Sequence, residues 1–432
     1  MYIDIFDEIV DIMRNDYAGC IDKKGWDTPN KYRERIYKLE QQRIYKLEQQ
    51  RIYKLEQQGQ LNDYQFVNIV YDYLLDFQDP HLFFISTEDN SEANKDIGFK
   101  VRRFKNDLYV VDVSSEDRIR KEDKIVSLDG SSMTELDSLY KRELMGKPPE
   151  RQKWEKIMEK HNLIRIENID NEYVDINLKL YEKKKYTPIH KVDILNEETM
   201  LITLSDFISP EPIVELLKDN EQRLTNLKNL IIDVRNNHGG SDSSFSQLLP
   251  YIFPTGTTSI NLKNYKMDFN VTERTAELQK TLLHELQEKT EDESFKETLR
   301  SMSQFFENNS GKGFVPIDNE DTFDIQGLEH PKKVVILSDI YCGSAGDIFV
   351  DFASSSDKVT IIGRETAGLN DYSNLLQKDW NDKFSLYYPT SRMQYLDKEI
   401  KDNGVKPDIF LEWNPDHILK DIDMESALKF LE

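Results

Sequence analysis

Apolar residues in the first part of the chain recur at the spacing of an α-helix. Two such faces are formed by Ile3, Phe6, Ile9, Val10 and Met13, and by Phe66, Ile69, Val70, Tyr73 and Leu74. Because positions three and four apart lie on one face of a helix, this pattern predicts helices over residues 1 to about 78. Proline disfavours helical geometry in the residue before it, so Pro80 ends the helical part. We therefore predict an N-terminal helical domain over residues 1–90.

One octapeptide, Arg-Ile-Tyr-Lys-Leu-Glu-Gln-Gln, occurs three times without change over residues 35–58. Every residue in it is compatible with a helix. Its apolar positions are on average about four residues apart, so their stripe should drift by about 80° per repeat on a helix instead of holding one seam. We interpret the repeats as a tandem duplication that lengthens a helix.

From residue 97 the pattern changes to short strands, predicted at 98–103, 108–113 and 123–130 and followed by helical segments near 135–144 and 151–161. This order predicts a small β-rich module over residues 91–165. Further strands are predicted at 174–181, 192–195 and 200–204, before a helix near 211–224.

Apolar, β-branched runs mark three more strands, at 230–234, 334–338 and 359–363, with helical patterns between them. This alternation predicts an α/β fold with a largely parallel sheet over residues 166–432. A polar insertion at about 256–330 should be helical at 276–289 and 294–306. Two glycine-containing turns follow the first two strands, and both should lie at the carboxyl edge of the sheet, where such sheets place their sites.

Composition narrows the class of protein. The chain has 432 residues, 38% hydrophobic and 32% charged, which is ordinary for a folded globular protein. A net charge of −23 opposes binding to nucleic acid or to an anionic membrane. The first residues are acidic, and no run approaches the roughly eighteen apolar residues of a membrane span, so we expect a cytoplasmic protein. Its two cysteines and scattered histidines match no disulfide framework or zinc spacing, and we expect neither a metal nor a cofactor.

Ser344 stands in a Gly-Ser-Ala-Gly turn between a buried strand and a helix. Free backbone N–H groups at the start of a helix can face a developing negative charge, so Ser344 is a candidate nucleophile. Ser344 and Asp347 also match a capping-box pattern, which would make the serine structural. His81 follows Pro80 at a corner of the chain and is either a hydrogen-bonding structural residue or a general base.

Four stretches resemble, in order and spacing, the S41 serine peptidases, which include the carboxyl-terminal processing proteases and the tricorn core protease. They are Asp233-Val-Arg-Asn-Asn-His-Gly-Gly240, Gly343-Ser-Ala-Gly-Asp347, Ile362-Gly-Arg-Glu-Thr-Ala-Gly368 and Gly404-Val-Lys-Pro-Asp408. The Asp-Pro-His81 corner and the β-rich module, which resembles a PDZ domain, also fit this family. The resemblance implies a crotonase/ClpP-like catalytic core and peptide-bond hydrolysis.

The same resemblance assigns the catalytic roles. It implies that Ser344 is the nucleophile and that the N–H of Ala345 and that of Gly239 or Gly240 bind the oxyanion. The processing-protease branch has a lysine where this chain has Leu369, so the similarity is closer to the tricorn-like branch, which uses a histidine at the position of His81.

Three assignments stay open within this resemblance. The third catalytic residue of the tricorn-like branch is a glutamate, whose position is taken here by Lys401, leaving Asp402 or Glu399 as substitutes. Asp79 is a further candidate to orient His81. His238 either contacts substrate or shapes its loop.

Two functions follow from these residues. The first is a serine peptidase that forms an acyl-enzyme on Ser344 with His81 as general base. The alternative is a catalytically inactive peptide-binding protein of the same fold. Either function predicts a peptide or protein partner, and the sequence leaves open whether the chain forms a homo-oligomer.

Overall fold

The computed structural model describes residues 2–50, 61–87, 95–144, 149–291, 293–317, 320–397 and 404–432, with the backbone alone for 41–50 and 294. The described helices are α1 (Tyr2–Asn15), α2 (Pro29–Gln50), α3 (Asp63–Leu74), α4 (Met133–Leu139), α5 (Trp154–Met158), α6 (Glu211–Asp219), α7 (Glu221–Leu224), α8 (Asp242–Phe245), α9 (Leu249–Ile252), α10 (Glu273–Lys289), α11 (Glu293–Asn309), α12 (Ala345–Ser354) and α13 (Ile422–Leu431). Within these ranges every helix is too short or too polar to cross a lipid bilayer.

The described strands are β1 (Phe83–Ser86), β2 (Lys95–Asp96), β3 (Phe99–Phe104), β4 (Asp107–Val113), β5 (Lys124–Leu128), β6 (Ser131–Ser132), β7 (Leu163–Glu167), β8 (Tyr173–Asn177), β9 (Tyr181–Glu182), β10 (His190–Ile194), β11 (Thr199–Leu204), β12 (Asn229–Asp233), β13 (Gly256–Asn261), β14 (Met267–Val271), β15 (Gly313–Pro316), β16 (Thr322–Gly327), β17 (Lys333–Ser338), β18 (Val359–Gly363), β19 (Tyr372–Trp380), β20 (Phe384–Met393) and β21 (Ile409–Phe410).

The chain divides into two compact units that interleave in sequence. Unit 1 is formed by Met1–Lys95, Asn264–Asn319 and Tyr372–Ile400, and unit 2 by Asp96–Lys263, Glu320–Asp371 and Lys401–Glu432. The three-part division into residues 1–90, 91–165 and 166–432 stays a prediction.

Unit 1 packs the N-terminal helices on an antiparallel sheet. The sheet has the order β1-β20-β14-β15, with β19 paired to β20. Phe6 and Phe66 from the helices join Phe84 and Phe384 from the strands in one buried cluster, because each helix presents a single apolar face. The helices expected from periodicity are present. In the first octapeptide copy Ile36 is buried, whereas residues 51–58 lie outside the described residues.

Unit 2 contains the β-rich module, an antiparallel sheet of order β3-β4-β5-β7-β8. Alternate residues of β3 and β4 point to one face, where Val101 and Val110 are buried. Trp154 from α5 is fully buried in the same cluster. The predicted helices near 135–144 and 151–161 are shorter in the structure, at α4 and α5.

Unit 2 also contains the predicted parallel sheet, of order β10-β11-β12-β17-β18-β21. All its pairs are parallel except β10 with β11. All five residues of β12 are buried, as expected for a strand covered on both faces. The register pairs Ile232 with Ile336 and Ile336 with Ile361. The sequence prediction of a largely parallel α/β sheet is confirmed.

The insertion at about 256–330 is more than helical. α10 and α11 agree with the two helices predicted there, but β13, β14, β15 and β16 were not expected. β13 pairs with β16, whereas β14 and β15 join the sheet of unit 1. β13 has a single buried residue, Ile260, so its sequence carries no apolar run that would mark a strand.

Candidate active site

Ser344 lies at the sharp corner between β17 and α12. Its backbone has φ of +58° and ψ of −123°, a conformation that costs a non-glycine residue on the order of 1–3 kcal/mol. The corner therefore has to be held by its neighbours. Ala345 begins α12, and a backbone N–H in the first turn of a helix has no acceptor within the helix.

Asp347 is fully buried and holds this corner. Its Oδ2 accepts the N–H groups of Ser344 and Leu369, both at 2.8 Å, and its Oδ1 accepts the N–H of Gly368 at 2.8 Å. Burial raises the pKa of Asp347, while these bonds and one from Thr366 oppose the rise. One carboxyl group thus ties the Ser344 backbone to the loop that follows β18.

Asp339 connects the two glycine-containing turns. Its Oδ1 accepts the N–H of Asn236 at 2.9 Å, from the turn after β12, and the N–H of Tyr341 at 3.0 Å, from the turn after β17. The N–H of Gly343 donates to the carbonyl of Asn237 at 3.0 Å. Since β12 and β17 are parallel neighbours, these bonds fix both turns at the same edge of the sheet.

Gly239 lies against the Ser344 corner. Its φ is +79°, and a Cβ built on it would lie 2.7 Å from Ser344 Cβ and 3.1 Å from Ala345 N. Only glycine fits this approach. The N–H of Gly239 donates to Asn237 Oδ1 at 2.9 Å. The structure therefore brings the predicted residue Gly239 against Ser344 and Ala345, whereas the next residue, Gly240, lies against Phe207.

Leu369 packs beside the same corner. A Cβ built on Gly343 would lie 3.1 Å from Leu369 Cδ1 and 3.0 Å from the methyl group of Ala367. An apolar side chain thus lies next to the residue that precedes Ser344. A leucine there has no group that can accept a proton.

His238 follows Asn237 in the turn after β12 and is exposed. Its N–H donates to the carbonyl of Ser205 at 3.2 Å, and its ring lies 6.1 Å from that of Tyr186. Neighbouring protein displaces water from the ring and lowers the pKa of His238, and the charge of Lys100 lowers it further. His238 is therefore an accessible, predominantly neutral imidazole at neutral pH.

His81 belongs to unit 1, where it is paired with Asp79. The backbone N–H of His81 donates to Asp79 Oδ1 at 2.9 Å, and its Nδ1 lies 3.5 Å from the same oxygen. Asp79 is 6% exposed. Burial alone would raise the pKa of Asp79, but its bond with His81 and the charge of Lys23 lower that pKa to about 2. A carboxylate thus faces the imidazole.

Two predicted site residues, Glu399 and Asp402, lie outside the described residues. Sequence reasoning missed Asp339 and Asn237, which hold the turns, and Lys23, which lies near Asp79. In the described ranges no cluster of three or more His, Cys, Asp and Glu side chains could hold a metal ion. The expectation that the protein uses no metal stays a prediction.

Comparisons with known proteins identify relatives of this chain. Residues 198–411 match the model of peptidase family S41. None of the curated proteins matches the sequence. Mature CPAF complexed with lactacystin is similar, with a TM-score of 0.62 at 13% identity, covering 100% of this chain and 97% of that one.

Two other solved structures are also similar. Mature CPAF gives a TM-score of 0.63 at 13% identity, covering 100% of this chain and 96% of that one. The photosystem II D1 C-terminal processing protease gives 0.44 at 14% identity, covering 100% and 97%. At such identities the CPAF structures indicate a shared fold.

Proposed function

Because the chain belongs to peptidase family S41 and is a serine-type peptidase, we propose that it hydrolyses peptide bonds through an acyl-enzyme on Ser344. The observation that carries this proposal is the Ser344 corner. A serine held at φ of +58° in front of a helix is suited to attack a substrate carbonyl. Backbone N–H groups of the helix start and of the adjacent glycine turn can then stabilise the oxyanion that forms. The family implies peptide or protein substrates.

In the proposed mechanism His81 removes the proton from Ser344 Oγ as the oxygen attacks the substrate carbonyl carbon. The N–H of Ala345 and a glycine N–H donate to the oxyanion. Because the N–H of Gly239 already donates to Asn237, Gly240 is favoured over Gly239 as the second donor. The leaving amine takes the proton from His81, and water then hydrolyses the ester with His81 again as base.

The remaining assignments are also proposals. Asp402 or Glu399 supplies the third catalytic residue, and His238 contacts substrate as an accessible imidazole. The parallel sheet with its adjoining helices is crotonase/ClpP-like, and the antiparallel sheet with β3 at its edge supports a PDZ-like module. A cytoplasmic location without nucleic-acid or membrane partners rests on composition, and a homo-oligomer is left open.

A second candidate function is a peptide-binding protein without catalysis. The apolar Leu369 beside Gly343 favours it, because the position that carries a lysine in one branch of the family here has no proton acceptor.

A fluorophosphonate probe tests the proposed function, because it forms a covalent bond only with an activated serine. We expect labelling of the wild-type protein and none of Ser344→Ala, with Ser243→Ala, at an exposed serine in α8, as the control. Peptide hydrolysis should fall on the order of a thousandfold or more in His81→Ala. His238→Ala should retain turnover and change KM. If the wild-type protein is folded but is not labelled, the result would support the second candidate function, a peptide-binding protein without catalysis.

Variants at the two undescribed positions assign the third residue. If Asp402 is the third catalytic residue, Asp402→Asn should reduce turnover by on the order of a hundredfold and Glu399→Gln should resemble the wild type. If Glu399 has that role, the two results should be exchanged. Loss of turnover in His238→Ala, with His81→Ala active, would move the role of base to His238.

A further inference from the structure

A buried chain of polar groups leads away from Asp79 in unit 1. The hydroxyl of Tyr17 donates to Asp79 Oδ2 at 2.7 Å, and Lys23 Nζ donates to the Tyr17 oxygen at 3.1 Å. Tyr17 is 0% exposed and Lys23 is 6% exposed. Burying a lysine and an aspartate together costs free energy unless their charges and hydrogen bonds offset each other. The Tyr17 hydroxyl, placed between Lys23 and Asp79, provides a hydrogen bond to each of them.

The surroundings of these hydrogen-bonded groups determine which of them are ionised. Asp79 is ionised at neutral pH, since its pKa is about 2 despite burial. Burial raises the pKa of Tyr17 well above its ordinary value, and the charge of Asp79 adds to the rise. Tyr17 is thus a neutral hydroxyl that can only donate to Asp79 while it accepts from Lys23. The hydrogen-bond direction runs from the lysine to the carboxylate.

The groups around Lys23 and Tyr17 support this arrangement. The Lys23 ammonium lies 4.5 Å from the centre of the Tyr372 ring, a cation–π contact. The Tyr372 hydroxyl donates to Asp22 Oδ2 at 3.2 Å, and Arg392 Nη2 donates to Asp22 Oδ1 at 2.8 Å. Asp22 thus has its own cationic partner in Arg392. The other carboxylate, Asp79, receives the Tyr17 hydroxyl.

We propose that Lys23, Tyr17 and Asp79 are positioning residues that orient His81 with its Nδ1–H toward Asp79 and its Nε2 lone pair available as the base. This inference rests on the proposed function. Asp79 fixes the backbone of His81 and faces its Nδ1 with the same oxygen. Tyr17 occupies the other carboxylate oxygen, so the carboxylate cannot turn away from the ring. The bond with His81 and the charge of Lys23 both favour the ionised carboxylate, and an anion beside the ring stabilises the imidazolium that forms when His81 takes up a proton.

The variants that test the roles of Tyr17 and Lys23 each have a matched control. Tyr17→Phe removes one buried hydroxyl that donates to an aspartate, and Tyr73→Phe removes another, which donates to Asp27 at 3.0 Å. Lys23→Met removes the buried charge, and Lys24→Met removes an exposed one beside it. We expect kcat to fall on the order of tenfold in Tyr17→Phe and Lys23→Met with KM unchanged, and not to fall in the controls. Lys23→Arg should recover part of the loss.

Asp79→Asn should lower kcat on the order of a thousandfold, because the imidazolium that forms during the reaction loses its neighbouring anion. Independently of activity, ¹⁵N NMR should find the Nδ1–H tautomer of His81 in the wild-type protein and a mixture of tautomers in Asp79→Asn.

The outcomes separate the two proposals. If Ser344→Ala and His81→Ala abolish turnover while Tyr17→Phe and Lys23→Met match their controls, the positioning role is wrong and the proposed function stands. An Nε2–H tautomer in the wild type would also overturn it. Wild-type protein that neither labels nor hydrolyses peptides overturns the proposed function instead.

Discussion

The carboxylate of Asp347 accepts the backbone N–H of Ser344 at 2.8 Å, three residues before it in the chain. The same side chain also accepts two N–H groups from the loop after β18. Ser344 and Asp347 form a capping box, a pattern that in many proteins only stabilises the start of a helix. Here it also joins the candidate nucleophile to a second loop. The strain of the Ser344 backbone is therefore opposed by a buried acceptor rather than relieved by solvent.

Asp347→Asn should impair catalysis more than folding. The amide replaces one carboxylate oxygen with a donor, which leaves at least one buried N–H without its partner at a cost of about 1–3 kcal/mol. We expect kcat to fall on the order of a hundredfold with little change in KM, because the Ser344 oxygen is displaced from its attacking position. Steady-state kinetics and thermal unfolding measure both effects.

The exposed Asp357 provides the control for that variant, and Asp357→Asn should change neither kcat nor Tm. A kcat within twofold of wild type in Asp347→Asn would mean that the corner keeps its geometry without this carboxylate.

Gly239→Ala should strongly slow the labelling of Ser344. The added Cβ would lie 2.7 Å from Ser344 Cβ, at a residue whose φ is +79°. Gly130 is a matched control, because its φ is +83° and a Cβ built there meets nothing within 4 Å. Both variants should lose about 1–2 kcal/mol to backbone strain at positive φ, whereas only Gly239→Ala should slow fluorophosphonate labelling, by on the order of a hundredfold or more. Equal labelling rates for the two variants would show that the approach of Gly239 to Ser344 has no role in reactivity.

The parallel sheet and its two turns could be predicted because each is marked by a short local pattern in the sequence. β-Branched apolar runs predict buried strands, and the glycines at 239 and 240 mark a turn whether or not the rest of the fold is known. The bonds that join the turns are different. Asp339 accepts the N–H of Asn236 across 103 residues of sequence, and no periodicity or spacing connects two such positions. The same holds for Tyr17 and Asp79, 62 residues apart.

The β19–β20 hairpin was missed although a signal was present. Asn381 and Asp382, in the turn between the strands, have φ of +53° and +51°, the conformation of the two-residue turns that Asn and Asp favour in hairpins. Apolar residues alternate after that turn, at Phe384, Leu386 and Tyr388. Polar residues such as Lys378 and Asp379 within β19 obscure the pattern, because a strand with one solvated face carries no apolar run.

Glu150 predicts how the stability of unit 2 depends on pH. Burial raises the pKa of Glu150 from 4.5 to about 7, while Arg102 and Arg364 oppose the rise. Between these two pH values the native state holds a proton that the unfolded state has released, so stability falls as pH increases through this range. The full effect is on the order of 3 kcal/mol. It is absent below the lower value, where both states are protonated.

Glu150→Gln isolates this contribution, because the amide resembles the protonated acid and does not titrate. Chemical denaturation at about pH 5.5 and about pH 8 should show the variant gaining stability relative to wild type at the higher pH, since only the wild-type side chain is forced to ionise where it is buried. Glu412→Gln, at an exposed glutamate, should track the wild type at both values. A variant that is equally or less favoured at the higher pH would mean that Arg102, whose Nη1 lies 3.3 Å from Glu150 Oε1, offsets the burial of the carboxylate completely.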